Sequence, residues 1–376
     1  MIAPTGDVAD TKYGVRRIDR RRRTGVGTMG DEVRVRRDGG VGRIVLDRPR
    51  ALNSLTHGMI LDVRAALDAF AEDDAVRVVV LTGAGERGLC AGGDIRAFHD
   101  DAKVGGAGTR AFLRDEYRLN ELISRYPKPY VAVMDGITMG GGVGVSAHGS
   151  VRIVTERSVV ALPETRIGLV PDVGGSRLLS RAPGELGTHL GLTAASMTPG
   201  DALLCGFADH FVPSAKLPEL LADLTGAPVA EVVARYAEPA PAAPLAEQRG
   251  WIDACYAADS VEEIVARLRA GGVPEAKQAA EELAERSPTM LKVTLSALRR
   301  ARSHGSLAES LEQEYRVSCA ALAHHDLVEG IRAQVVDKDR NPRWSPATLA
   351  EVDERTVAAF FEPPADGDLR INGSVG

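Results

Sequence analysis

Residues 130–148, Tyr-Val-Ala-Val-Met-Asp-Gly-Ile-Thr-Met-Gly-Gly-Gly-Val-Gly-Val-Ser-Ala-His, decide the fold. The run from Tyr130 to Met134 predicts a buried strand, and the segment from Val143 to His148 predicts the first turns of a helix. Between them, Gly140 to Gly142 let the backbone come close to a ligand, and a helix N-terminus presents free N–H groups. This pattern can bind an anion, or a carbonyl oxygen that gains negative charge during a reaction. A tight strand-to-helix connection without any ligand has the same pattern.

A second glycine stretch lies upstream. Residues 76–81 predict another buried strand, and Gly92 and Gly93 then precede a helical start that Asp94 is placed to cap. One N–H donor from each stretch could meet at a single oxygen atom. The sequence therefore predicts an oxyanion hole made of backbone amides.

Length and composition exclude several classes of protein. A chain of 376 residues can bury a large core, and a net charge of -6 gives no reason to expect nucleic-acid binding. The four cysteines lie far apart, without metal spacing, so we expect free thiols, no metal and a reducing compartment. Because no run approaches the roughly 18–20 apolar residues of a membrane span, we expect a cytoplasmic protein with no membrane contact.

The order of segments predicts an α/β protein, because strands alternate with helices at short spacing. We expect residues 1–30 to be a disordered extension, although the basic run from Arg16 to Arg23 could be a nucleic-acid arm and Met29 could be the true start. Residues 31–225 would form the core and residues 226–346 a helical region. The polar, proline-rich residues 347–376 predict a loosely held tail.

Two carboxylates, Glu164 and Asp172, lie in the most apolar, glycine-bounded part of the chain. Each could be a cap or a turn residue. If buried, each would have a raised pKa suited to acid–base or nucleophilic chemistry. Glu116 follows a helical pattern that, by itself, predicts a solvated side chain. Ser146 lacks the G-x-S-x-G context of a serine hydrolase.

Together, these stretches resemble the enoyl-CoA hydratase/isomerase (crotonase) superfamily. The matching segments are residues 47–53 (Asp-Arg-Pro-Arg-Ala-Leu-Asn), 90–95 (Cys-Ala-Gly-Gly-Asp-Ile) and 139–142 (Met-Gly-Gly-Gly). Within the superfamily, the chain is more narrowly similar to the 3-hydroxyisobutyryl-CoA hydrolase group. This similarity lies in residues 136–144, residues 162–175 and Glu314-Tyr315-Arg316. The resemblance implies a spiral of ββα units followed by a helical C-terminal region that closes the acyl site.

The resemblance also implies the site residues. It places the oxyanion donors at Gly93 and Gly141 and the substrate contacts at Glu116, Gly141, Glu164 and Asp172. The channel for coenzyme A would be lined by a further set, in which Arg50 would meet the phosphates: Arg50, Ala51, Leu52, Ala91, Asp94 and Ile95. Hydratases of the superfamily carry a second glutamate where this chain has Gly144. Its absence would remove half of the hydration machinery and leave room for a branched, hydroxylated acyl group.

The implied activity is hydrolysis of a short 3-hydroxyacyl-CoA, most specifically 3-hydroxyisobutyryl-CoA in valine breakdown. Glu164 would either attack the carbonyl to form an anhydride or activate water, and Asp172 would orient the hydroxyl or assist the leaving thiolate. Coenzyme A would be part of the substrate, with no separate cofactor, and a homo-oligomer is possible. The alternatives are hydration or isomerisation of an enoyl-CoA, and a non-catalytic binding protein.

Overall fold

The computed structural model describes residues 30–371. The predicted extension before Gly30, with its basic run and Met29, lies outside the described residues. The same holds for the end of the predicted tail, residues 372–376.

In the described part of the chain, nine strands form two sheets, a six-stranded sheet in the order β1-β2-β3-β5-β7-β9 and a three-stranded sheet in the order β4-β6-β8. The β1–β2 hairpin is antiparallel, and every other strand pair is parallel. The strands are β1 (Val33–Asp38), β2 (Val41–Leu46), β3 (Val78–Gly83), β4 (Gly88–Cys90), β5 (Tyr130–Met134), β6 (Ile137–Met139), β7 (Val151–Val154), β8 (Val159–Ala161) and β9 (His210–Phe211).

The helices of the first part of the chain follow these strands. They are α1 (His57–Glu72), α2 (Ile95–Ala102), α3 (Ala107–Ser124), α4 (Gly141–Gly144), α5 (Gly175–Ser180), α6 (Leu186–Thr193) and α7 (Pro199–Leu204). The chain passes from the large sheet to the small one in each pair β3–β4, β5–β6 and β7–β8, and helices follow each pair. This confirms the α/β fold with repeating ββα units. The helix after the glycines is shorter than expected and begins at Gly141 rather than Val143.

The second part of the described chain is helical. It contains α8 (Leu217–Asp223), α9 (Val229–Tyr236), α10 (Pro244–Tyr256), α11 (Val261–Ala270), α12 (Pro274–Ala284), α13 (Pro288–Ala301), α14 (Leu307–Leu322), α15 (His325–Ile331) and α16 (Glu354–Ala359). A π-helical turn, Arg332–Val336, continues α15. Helices α13 and α14 pack against α5, and α14 also packs against α3, so the helical region covers one side of the core.

The segment after residue 346 differs from the loosely held tail that its composition predicts. Helix α16 packs against α13, and Phe360 and Phe361 are buried, as are Val352 and Leu369. The Arg300 guanidinium carbon lies 3.9 Å from the centroid of the Phe361 ring. The prediction was wrong because a few well-placed apolar side chains hold a segment whose average composition is polar.

The small sheet positions the candidate site. Gly92 and Gly93 follow β4, Gly140 follows β6, and Glu164 follows β8. Since these three strands are parallel, their carboxyl ends meet at one edge. Ligands of open α/β sheets bind at this edge.

Candidate active site

The two glycine turns are in direct contact. A Cβ atom placed on Gly141 would lie 3.5 Å from the Gly93 nitrogen, and one placed on Gly92 would lie 3.7 Å from the Gly141 nitrogen. Gly92 has a φ of +104°, a conformation that favours glycine. Leu55 fixes the first turn, because its N–H donates to the Gly92 carbonyl at 2.8 Å and its carbonyl accepts from Asp94 at 3.0 Å. The predicted donors Gly93 and Gly141 are therefore neighbours in space.

Two glutamates lie over the triple glycine, in space that side chains at Gly140 and Gly141 would otherwise fill. The Oε1 atom of Glu116, on α3, would be 2.5 Å from a Cβ on Gly141. The Oε1 atom of Glu164 would be 3.1 Å from a Cβ on Gly140. Both residues are buried, and Glu116 Oε1 and Glu164 Oε2 have no hydrogen-bond partner. Glu116 is thus not the solvated residue that its helical pattern predicts, because α3 packs on α4.

Asp172 is held by a tyrosine that the sequence analysis missed. The Tyr117 hydroxyl donates to Asp172 Oδ2 at 2.7 Å and lies 3.0 Å from the Ser318 hydroxyl of α14. All three side chains are buried. The signal that could have found Tyr117 is its place next to Glu116 in a helix. Its partners, however, are 55 and 201 residues away, beyond the reach of local pattern.

Burial raises the pKa of Glu164 and of Glu116 well above the usual range of a glutamate, and the nearby charge of Asp172 raises both further. Burial also raises the pKa of Asp172, to about 6, although the hydrogen bond from Tyr117 opposes this rise. Like charges at close range cannot all be ionised. Ionisation of Asp172 therefore opposes ionisation of both glutamates.

Glu314, on α14, anchors the turn that follows Asp172. Its carboxylate accepts hydrogen bonds from the Gly174 N–H at 2.6 Å and the Ser176 N–H at 2.9 Å. Burial raises the pKa of Glu314 to about 8 against the effect of these donors. The helical region thereby sets the position of the Asp172 loop, a role that the sequence analysis did not assign to this residue.

The residues predicted to line the coenzyme A channel surround the first glycine turn. Arg50 is exposed in the short turn Pro49–Ala51, and the Ala91 N–H donates to the Leu52 carbonyl at 3.0 Å. Asp94 caps α2, which begins at Ile95, and Arg48 rather than Arg50 pairs with Asp94, at 2.8 Å. The hydrogen bond between Ala91 and Leu52 joins the two segments that carry this set, whereas the three predicted carboxyl residues Glu116, Glu164 and Asp172 are buried. Contact with coenzyme A stays a prediction.

The space beside Gly144 is filled. A Cβ there would lie 2.8 Å from Val173 Cβ and 2.9 Å from Asn120 Nδ2. The expectation that this glycine leaves free room for an acyl group was wrong, because two neighbouring side chains occupy that room. For the same reason a glutamate does not fit at this position without displacing both.

Other predicted features concern metals, membranes and thiols. Within residues 30–371, no cluster of histidine, cysteine and acidic side chains is arranged to hold a metal ion, and no helix has the length and apolar character to span a bilayer. The four cysteines are free and buried.

The chain is similar to known proteins over most of its length. A family model described as enoyl-CoA hydratase/isomerase matches residues 41–361. The 3-hydroxyisobutyryl-CoA hydrolase, mitochondrial, of Gallus gallus is 42% identical over 90% of this chain and 91% of its own length. The human protein of the same name is 39% identical over 91% of each chain.

Two solved structures are also similar over most of their length. One, described as a carnitinyl-CoA dehydratase from Mycobacterium thermoresistibile, has a TM-score of 0.88 at 55% identity and covers 92% of this chain and 100% of its own. The other, described as an enoyl-CoA hydratase from Rhodobacter sphaeroides, has a TM-score of 0.86 at 44% identity, covering 90% of this chain and 100% of its own.

Proposed function

The chain belongs to the enoyl-CoA hydratase/isomerase family, and we propose that it hydrolyses the thioester bond of 3-hydroxyisobutyryl-CoA to release the free acid and coenzyme A. One observation carries this proposal. The amides of Gly93 and Gly141 lie together, with Glu164 buried beside Gly140 and Glu116 buried beside Gly141, while the space over Gly144, where hydratases carry their second glutamate, is closed. The relatives named 3-hydroxyisobutyryl-CoA hydrolase, at about 40% identity over nine tenths of the chain, support the same substrate.

The two amides would stabilise the reacting carbonyl. The thioester oxygen would accept hydrogen bonds from Gly93 and Gly141, and both bonds would strengthen as the carbon becomes tetrahedral and the oxygen gains charge. Loss of one such donor typically costs on the order of 3 kcal/mol of transition-state stabilisation. Because the donors are backbone groups fixed by two turns, they need no rearrangement during the reaction.

Glu164 would act in its ionised form. Its carboxylate would either attack the carbonyl carbon, giving an anhydride that water then hydrolyses, or remove a proton from the attacking water. In both routes the C–S bond breaks and the thiolate of coenzyme A takes up a proton. Since the pKa of Glu164 is raised, the ionised fraction and therefore the rate would increase as the pH rises.

Asp172 and Glu116 would complete the site. The Tyr117 hydrogen bond keeps the Asp172 carboxylate in one orientation, from which it would position the substrate or assist the leaving thiolate. Glu116 would border the acyl group beside Gly141.

A second candidate function is addition or removal of water across a double bond, as the descriptions of the two solved structures suggest. Hydratases of this family use a pair of glutamates, and Val173 and Asn120 occupy the place of the second one here. The geometry therefore supports hydrolysis better.

Incubation with crotonyl-CoA and with 3-hydroxyisobutyryl-CoA separates the two functions. We expect free thiol to appear with the hydroxylated ester, detected with a chromogenic thiol reagent, and little loss of crotonyl-CoA absorbance. Rapid hydration of crotonyl-CoA without thiol release would overturn the hydrolase proposal.

The cellular context is part of the proposal. We place the reaction in valine breakdown, which supplies this thioester. The animal relatives are named as mitochondrial, whereas we propose a cytoplasmic location for this chain. A homo-oligomer is compatible with the proposal, and sedimentation analysis would establish it.

A further inference from the structure

Asn120 is a buried polar residue that the mechanism above does not use. It lies on α3 and is 0% exposed, and neither its Nδ2 nor its Oδ1 atom has a hydrogen-bond partner. Buried amide groups nearly always have partners in native proteins. A side chain with two unpaired polar atoms at the edge of a candidate active site therefore points to a ligand.

The position of Asn120 relates it to the reacting carbonyl. Glu116 and Asn120 are four residues apart on α3, and Gly141 and Gly144 are three residues apart on α4, so each pair shares one helix face. Glu116 lies over Gly141 and Asn120 lies over Gly144. The Cβ atoms of Asn120 and Glu116 are therefore about 5–6 Å apart along α3. Of the two residues, Asn120 is the one farther from the predicted amide donor Gly141.

This spacing matches the proposed substrate, and the inference rests on the proposed function. In a 3-hydroxyacyl thioester the hydroxyl oxygen is three bonds from the carbonyl carbon, within about 4 Å of it. A carbonyl held at Gly141 would bring the hydroxyl close to the Asn120 carboxamide. A carboxamide offers both a donor and an acceptor, which a hydroxyl group can use together. Val173, on the other side, offers only apolar contact.

We propose that Asn120 binds the hydroxyl group of the acyl chain and makes the enzyme selective for 3-hydroxyacyl thioesters. Without the hydroxyl, the buried carboxamide would stay unpaired in the complex with the substrate. A site built to bind a hydroxyl strongly rejects an analogue that lacks it. Asn120 is in this view a specificity-determining residue, and the carbonyl chemistry stays with Glu164 and the two amides.

The test compares 3-hydroxyisobutyryl-CoA with isobutyryl-CoA, which differs only in lacking the hydroxyl. We expect Asn120→Leu, similar in size but without polar atoms, to lower kcat/KM for the hydroxylated ester by roughly ten- to hundredfold. The value for isobutyryl-CoA should stay the same or rise. The matched control is Thr294→Val, which removes a buried, unpaired hydroxyl from α13 and should leave the ratio of the two values unchanged.

A binding experiment keeps the two proposals separate. Calorimetric affinities of both thioesters for Glu164→Gln, with and without Asn120→Leu, need no turnover. If the wild type releases no thiol from either ester, the hydrolase proposal fails, while a lost affinity ratio would still support the role of Asn120. If the ratio of the two affinities is the same with and without Asn120→Leu, the proposed role of Asn120 is overturned. Should the leucine variant not fold, Asn120→Ala replaces it under the same criteria.

Discussion

Gly141→Ala tests the oxyanion hole directly, because the added methyl group would lie between the two amide donors. Its Cβ would be 3.5 Å from the Gly93 nitrogen, 2.5 Å from Glu116 Oε1 and 3.0 Å from Leu55 Cδ1. An oxyanion must approach each donor to about 2.7–3.1 Å. The methyl group and the oxyanion would therefore compete for the same space.

The magnitude follows from this overlap. Loss of one donor costs about 3 kcal/mol, which is a factor of about 10² in rate. Loss of both would lower kcat by a factor on the order of 10⁴. Overpacking in a filled region also costs about 1–3 kcal/mol of folding stability, so reduced activity alone would not identify the cause.

A matched control separates the two effects. Gly42→Ala, on β2, places a Cβ 2.6 Å from the Phe70 ring, in the core and away from the glycine turns. We expect both variants to lose similar stability in urea unfolding, and only Gly141→Ala to lose thiol release. A folded Gly141→Ala protein that hydrolyses 3-hydroxyisobutyryl-CoA within about fivefold of the wild-type rate would refute the role of these amides.

Three further predictions concern the carboxyl groups. Glu164→Gln should abolish turnover but keep the affinity for acyl-CoA measured by calorimetry, and near-normal turnover would remove Glu164 from the mechanism. Tyr117→Phe should raise the pKa of Asp172 above about 6, because it removes the hydrogen bond that stabilises the carboxylate. The limb of the kcat/KM profile that depends on Asp172 should then move to higher pH, and an unmoved profile would contradict this. Folding raises the pKa of Glu314 to about 8. The protonated carboxyl group therefore adds to the free energy of unfolding at low pH, and this contribution is lost as the pH rises through that value. Glu314→Gln should therefore weaken the fall in unfolding free energy between about pH 5 and 9, and equal slopes for both proteins would contradict this.

Periodicity and glycine placement predict most of the core. The helix over residues 57–72 can be recognised from local sequence, because its apolar side chains repeat at helical spacing and Thr56 caps its start. The strand predicted over residues 130–134 is found with those bounds, and the one predicted over residues 76–81 is found two residues later, at Val78–Gly83. Gly93 and Gly141 lie together because two parallel strands of one sheet end at the same edge, which is a consequence of fold class.

Other features depend on contacts that no local pattern contains. Tyr117 and Glu314 have partners more than 50 residues away, and the burial of Asn120 depends on how α3 crosses α4. The buried tail has the same origin, since Phe360 and Phe361 have an apolar partner surface only in the folded chain. Local sequence predicts elements well, but tertiary packing decides which polar side chains are enclosed.

The backbone of Val173, beside the candidate site, is strained, and this strain lowers the stability of the fold. This valine, directly after Asp172, has a φ of +54°, a conformation that is strained for a β-branched residue and costs of order 1–3 kcal/mol. It nevertheless closes the space over Gly144. Glycine here would relax the backbone, but it would also remove a buried side chain and leave a cavity. Strain and closure therefore come from the same residue, and no substitution to glycine removes the first without giving up the second.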